Sequence, residues 1–397
     1  MIYFAILSYI ILLSYVYDFG HHKFGRNFHF LILLIILICL AGFRYRIGVD
    51  TIRYEMAFSQ VPVLSQLDLH AFQEAKYDPL FLILASTAKT LNPEFWVLQM
   101  FQSLLVNIVF FRFFYKNTKY LFLSLLLYFC LIYVGHMTET MRESCAISMF
   151  LFGREFYKKG HKIKLLLCCI LAYLFHSSAI ILFIIFAIIA INLDKYIRFT
   201  KGVIIFALCV LVIAPLVQDF FINNISYIAI TTRIMDKIEM YSATDMFDQR
   251  LNIFGIIVIV LLYVFIPYIC IITLRNTKYA TKLEFILVLE MFFAVISAPI
   301  YIFYRYVGYL MPFVIIALTN SLAENNLTLP LWGKIKTNNI IAWSIILLPF
   351  IINTIYVMNH TVRNSNCKNY SKFYPYSSIF SKELDADREA LFSYYNL

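Results

Sequence analysis

Long apolar runs punctuated by short polar breaks dominate this chain. They cover residues 2–17, 28–43, 79–91, 95–115, 120–135, 143–157, 165–191, 203–217, 251–274, 283–299, 305–319 and 339–357. A helix needs about 20 apolar residues to cross the hydrocarbon core of a bilayer. The pattern therefore predicts an all-α, polytopic integral membrane protein, with about 11–13 transmembrane or half-membrane helices and an external helical loop. Two runs depart from simple spans. Residues 79–91 are short and include Ser86, Thr87 and Lys89, which predicts a re-entrant or interfacial helix. The run 165–191 has basic loops at both ends and a polar break, Phe175-His176-Ser177-Ser178, at its middle. Two half-length helices meeting at that break satisfy both facts. Non-helical backbone at membrane depth needs a protein or wet-cavity lining, so the break also predicts a cavity. Met1–Tyr17 lacks a basic leading segment and a small-residue cleavage site, and reads as an uncleaved first span.

Composition agrees. The chain has 397 residues, 62% hydrophobic and 14% charged, and a mean hydropathy of +0.78; soluble domains sit near roughly 45–50% apolar and about 25% charged. The net charge of +10 suggests nucleic acid until its placement is seen. The basic residues gather in short loops around Lys23/Arg26, Lys116/Lys119, Lys158/Lys159/Lys162/Lys164, Lys195/Arg198/Lys201, Arg275/Lys278/Lys282 and Lys334/Lys336. That is the positive-inside bias, so these loops are assigned to the cytoplasm and nucleic acid is not expected as a partner. The acidic residues concentrate in the alternate set, 44–78, 136–142, 218–250, 300–304 and 358–397, assigned to the outside. This organisation predicts a membrane domain over 1–357 with external loops 44–78 and 218–250, then a polar external tail at 358–397.

Seven of the eight cysteines lie in or beside apolar runs, only Cys367 is in a polar region, and no CxxC spacing occurs. No phosphate-binding glycine loop, HExxH or GxSxG is present, which weighs against an ATPase, a zinc protease and a serine hydrolase. Neither a metal nor a cofactor is expected.

The candidate chemistry lies at the outer boundaries. Arg44, Arg46, Arg53 and Asp50 fall within eleven residues where the second run ends. They read either as interfacial anchors or as a clamp on an anion, with Asp50 holding an arginine fork; arginine suits bidentate recognition of pyrophosphate. Arg142 and Glu143 open another run, either pairing with each other or presenting Arg142 to the same anion. His176 is either a satisfied core residue or, as an ionisable group inside an apolar stretch, a proton acceptor. Tyr304-Arg305-Tyr306 is either an aromatic belt with a snorkelling arginine or a further anion contact flanked by sugar-stacking tyrosines.

These motifs carry a family resemblance. Gly48-Val49-Asp50-Thr51-x-x-Tyr54 after an arginine-bearing helix end resembles the EpsG family of Wzy-type polysaccharide polymerases. Arg142-Glu143-Ser144-Cys145-Ala146 is similar to the family's Arg-Gln-x-x-Ala, with Glu143 where glutamine is usual, and Lys158-Lys159 closes that span as in the family. Phe175-His176-Ser177-Ser178-Ala179 resembles its Phe-His-x-Ser-Ala, and Arg305-Tyr306-x-x-Tyr309 its late Arg-Tyr element. The resemblance spans roughly residues 28–320, leaving the last span and the tail outside.

The resemblance implies a multi-pass protein of the bacterial inner membrane with its active site facing the periplasm or exterior. The activity implied is glycosyl transfer from one polyprenyl-pyrophosphate-linked glycan to another, in O-antigen, capsule or exopolysaccharide synthesis, independent of nucleotide and metal. Expected partners are the lipid-linked oligosaccharide, membrane lipid, and a chain-length regulator and flippase. On this reading Arg44, Arg46, Arg53, Arg142 and Arg305 hold pyrophosphate; Tyr54, Tyr304 and Tyr306 hold glycan; His176, Asp50 and Arg142 are catalytic. The rival readings are a ligase moving finished glycan to another acceptor and a non-enzymatic transporter or flippase. Transporters often show repeated halves with matching broken helices, and this sequence has one clear break.

Overall fold

A computed structural model describes residues 2–192, 257–275, 280–299, 303–324 and 367–394, with residue 277, scattered positions between 202 and 216 and most of 351–362. The predicted external loop 218–250 and the basic positions Lys195, Arg198, Lys334 and Lys336 lie outside the described residues. The chain forms two compact units, Met1–Ile191 with Thr354–Leu397, and Asn192–Asn353. The described secondary structure is helical, with isolated bridges Arg44–Ser378 and Thr361–Lys368. Among the described residues, five helical runs are long and apolar enough to cross a membrane: Ile2–Phe19, Phe95–Asn117, Leu121–Thr138, Ile257–Leu274 and Tyr304–Ala323. The protein is a multi-pass, all-α membrane protein.

In the first unit, α1 (Ile2–Leu13) runs on through a π-helical turn to Phe19. Helix α2 (Arg26–Gly42) buries Leu33, Leu37, Leu40 and Ala41 along one helical stripe against α6 (Phe95–Asn117). A Cβ on Gly42 would sit 2.5 Å from Met100 Cε of α6. Helix α6 carries a buried polar spine. Gln102 donates to Ser144 Oγ at 2.9 Å, Ser103 to the Ile38 carbonyl at 3.0 Å, and Tyr128 to Asn107 Oδ1 at 3.1 Å. In lipid, where every helix surface is equally apolar, such bonds and small residues select helix partners.

Helix α7 (Leu121–Tyr128) continues through a π-helical turn into α8 (Val134–Thr138), and the chain turns directly into α9 (Met141–Lys158). Gly153 lets α9 close on α10 (Lys162–Phe175); a Cβ there would be 2.9 Å from Cys168 Cβ. The predicted break is present. Helix α10 stops at Phe175, His176 is extended (φ −158°, ψ 127°), and Ser177–Ile180 forms a 3-10 turn before α11 (Ile181–Ala190).

Between α2 and α6 the connecting segment is itself helical: α3 (Asp50–Ser59), α4 (Leu69–Glu74) and the 13-residue α5 (Pro79–Leu91). Helix α5 has the short form expected of residues 79–91, and its polar residues have partners. Ser86 donates to the Pro62 carbonyl at 2.8 Å, and Lys89 caps the C-terminus of α3 through the Ser59 carbonyl at 2.8 Å, where a cation meets the negative end of the helix dipole. The tail returns to the start of this segment. Tyr45 N–H donates to Ser377 O, Ile379 N–H to Phe43 O and Gly48 N–H to Lys372 O, each at 2.9 Å.

The second unit's described core is the helix Ile266–Leu274, preceded by a π-helical turn, packed with Ala280–Ile296 and Tyr304–Ala323.

Candidate functional site

Three helix ends of the first unit meet around one carboxylate, Asp78. It precedes Pro79, whose fixed φ suits the first position of α5, and so occupies the N-cap position. Its side chain does not cap its own helix. It reaches instead to Arg142 in the first turn of α9, with Nη1 3.0 Å from Oδ2, and to His176 at the break, with Nδ1 3.3 Å from the same oxygen. Arg142 Nη1 also donates to the Lys76 carbonyl at 3.3 Å. Burial by itself raises the Asp78 carboxyl, but the His176 hydrogen bond, the Arg142 charge and the Ser177 N–H outweigh it and hold the group below its ordinary range. The side chains of Asp78, His176 and Arg142 are 18%, 12% and 29% exposed, so the cluster is largely enclosed and still open to solvent or ligand.

Aromatic rings wall one side. The Arg142 guanidinium lies 6.0 Å from the Tyr54 ring centroid, within range of a cation–π contact. Tyr77 donates to the Tyr54 carbonyl at 2.7 Å and packs edge-on to Phe81, with ring centroids 5.0 Å apart. Arg142 Nε is buried with no hydrogen-bond partner among the described residues.

A second acidic corner forms at the start of α3. Glu139 Oε1 accepts the Val49 N–H at 2.7 Å, so a carboxylate from the α8–α9 turn caps α3. Gly48 makes this possible: its φ is +85°, and a Cβ would lie 2.7 Å from Thr138 Cβ and 2.9 Å from Glu139 Oε1. Burial and the nearby Asp50 carboxylate push Glu139 up to about 7, against Lys372 and the Val49 and Asp50 N–H groups.

The other predicted residues fall as follows. Asp50 pairs with the exposed Arg53 at 3.4 Å. Arg46 pairs with Glu55 at 2.9 Å. Arg44 points into the helical core, 2% exposed, donating to the Ala41 carbonyl and, at 3.3 Å, to Met141 Sδ. Burial lowers its guanidinium to about 10. Arg142, His176 and Tyr54 are thus brought together, while Arg44, Arg46 and Arg53 each have other partners. In the second unit, half-buried Arg305 lies in the first turn of its helix, Tyr306 packs on Phe293 (5.2 Å between centroids) and Phe303 (5.8 Å), and Tyr304 is exposed. Sequence reasoning did not single out Asp78 or Glu139. For Asp78 one signal was present: an Asp-Pro pair opening an apolar helix beside an arginine-rich boundary.

Against known proteins, a model described as the EpsG family matches residues 27–378. The match extends the resemblance: it runs beyond residue 320, through the last apolar run and into the tail, which the motifs alone had left out. The tail segment that pairs with Tyr45 and Gly48 lies within it up to residue 378. No curated protein and no solved structure matches the chain.

Proposed function

We propose, from the premise that this chain belongs to the EpsG family, that it polymerises oligosaccharide repeat units carried on polyprenyl pyrophosphate. The family supports a glycosyltransferase-like polysaccharide polymerase in general. The lipid-linked donor, the bacterial inner membrane and an outward-facing site are the finer parts of the proposal. The observation that carries it is the convergence of Arg142 and His176 on Asp78.

The chemistry follows from the roles these groups can take. The acceptor sugar's hydroxyl attacks the anomeric carbon of the donor. A new C–O bond forms there, and the bond from that carbon to the pyrophosphate oxygen breaks. His176 takes the hydroxyl proton through Nε2, because Asp78 occupies its Nδ1 side and orients the ring. The bond electrons leave with the polyprenyl pyrophosphate, and Arg142 stabilises that charge as it develops. Tyr54 offers an aromatic face beside the arginine. Asp50–Arg53 and Arg46–Glu55 are exposed or half-exposed ion pairs able to exchange partners for an anionic ligand.

Purified protein should lengthen glycans on lipid-linked repeat units without added nucleotide. A strain carrying His176→Ala or Arg142→Ala, with normal expression, should show single capped units and no long polymer. Full-length unattached polymer would instead indicate a ligase, and wild-type chain lengths would remove both residues from the site.

A further inference from the structure

A second charged cavity lies at the other end of α9, away from Asp78. It is a half-open hollow of about 300 Å³ between the C-terminal ends of α6 and α9. Its wall includes Arg112, Lys116, Arg154, Lys158 and Lys159, with Glu155 as its one carboxylate, a net of five minus one, or +4. Arg142 and Lys158 are 16 positions apart on the same helix, roughly 24 Å at 1.5 Å per residue, so this cavity is separate from the proposed active site.

The cavity is built rather than a loose fringe of surface lysines. Arg154 is 6% exposed and belongs to the wall. Glu155 gathers two of the cations: Arg112 Nε at 3.1 Å and Nη2 at 3.3 Å, and Lys116 Nζ at 2.7 Å. Lys158 reaches inward to the buried Asn117 side chain. Positive-inside statistics account for lysines in loops; they do not account for an arginine and an asparagine buried in the wall of a concavity. Like charges held this close repel, and the concave, low-dielectric wall strengthens both that repulsion and its relief by an anion. The guanidinium of Arg154 and the ammonium groups of Lys158 and Lys159 together match the oxygens of a phosphate.

We propose that this cavity binds a phosphate-bearing anion, supplied either by the head group of an anionic phospholipid or by a soluble phosphate. The proposal is independent of the polymerase reading and uses none of its residues.

The test is native mass spectrometry of the full chain in detergent, titrated separately with phosphatidylglycerol, phosphatidylcholine and inorganic pyrophosphate. Lys158→Gln/Lys159→Gln removes two cavity charges. Lys162→Gln/Lys164→Gln removes the same charge from positions outside the cavity wall and serves as the control. Wild-type protein should retain phosphatidylglycerol, inorganic pyrophosphate or both at least roughly tenfold better than phosphatidylcholine, and the cavity variant should lose most of that preference while the control keeps it. Retention of the lipid alone identifies a head-group site; retention of pyrophosphate identifies a site for a soluble anion. Equal loss in the two variants, or no preference in the wild type, overturns the proposal.

Discussion

Nδ1 of His176 lies 3.3 Å from Oδ2 of Asp78, across 98 residues of chain. Asn at position 78 keeps the size and loses the charge that orients the imidazole and holds Arg142. Asp78→Asn should therefore lower glycan elongation about 100- to 10,000-fold at unchanged expression, the usual span for a disabled acid–base group. Initial rates of lipid-linked glycan extension measure it. A variant within twofold of wild type would remove Asp78 from the reaction.

Arg142 separates charge from geometry. Lysine at this position keeps a positive charge but loses the planar guanidinium, whose Nη1 reaches both the Lys76 carbonyl and Asp78. Arg142→Gln should cost about 100- to 1,000-fold in turnover, with Arg142→Lys recovering part of the loss. Extension rates at saturating donor distinguish the two from wild type.

Glu139 predicts a pH dependence of stability. Its carboxyl is raised from an ordinary value near 4.3 to about 7 in the fold. The folded chain therefore holds a proton that the unfolded chain releases between those values. The stability this contributes is fully present below about 4 and is lost as pH rises through about 7. Glu139→Gln can still accept the Val49 N–H and has no proton to lose. Its melting temperature should stay flatter than wild type between pH 5 and 8. Identical slopes in thermal unfolding would refute the assignment.

Gly48→Ala should destabilise the protein by about 1–3 kcal/mol from backbone strain alone, because φ is +85° and the added methyl meets Thr138 and Glu139. The thermal midpoint should fall, and polymer synthesis should fall with it as Glu139 loses its seat under α3. A midpoint equal to wild type would mean that this corner relaxes freely.

Much of the fold is legible in the sequence because membrane helices announce themselves by length and apolarity. The break at His176 is legible for a related reason: a polar block at the middle of a 27-residue apolar stretch must interrupt the helix or be covered by protein and water. The site is less legible. Asp78 looks locally like an ordinary helix start, and its meaning comes from partners 64 and 98 residues away. Arg44 shows the opposite difficulty. An arginine at the end of an apolar run can face lipid head groups, a ligand or the core, and periodicity at a helix end does not separate these. Here it turns inward to Met141. Glu139 was hidden because it caps a helix that begins 89 positions earlier in the chain.

The pairing of Phe43, Tyr45 and Gly48 with residues 372–379 has a consequence for biogenesis. The loop between α2 and α3 emerges early from the ribosome, whereas its hydrogen-bond partners are made more than 320 residues later. Until then those backbone groups must be satisfied by water. Completion of the corner between α2 and α3 is thereby tied to delivery of the tail, so that a nascent chain stalled before residue 372 would carry its helices in the membrane with that corner unfinished.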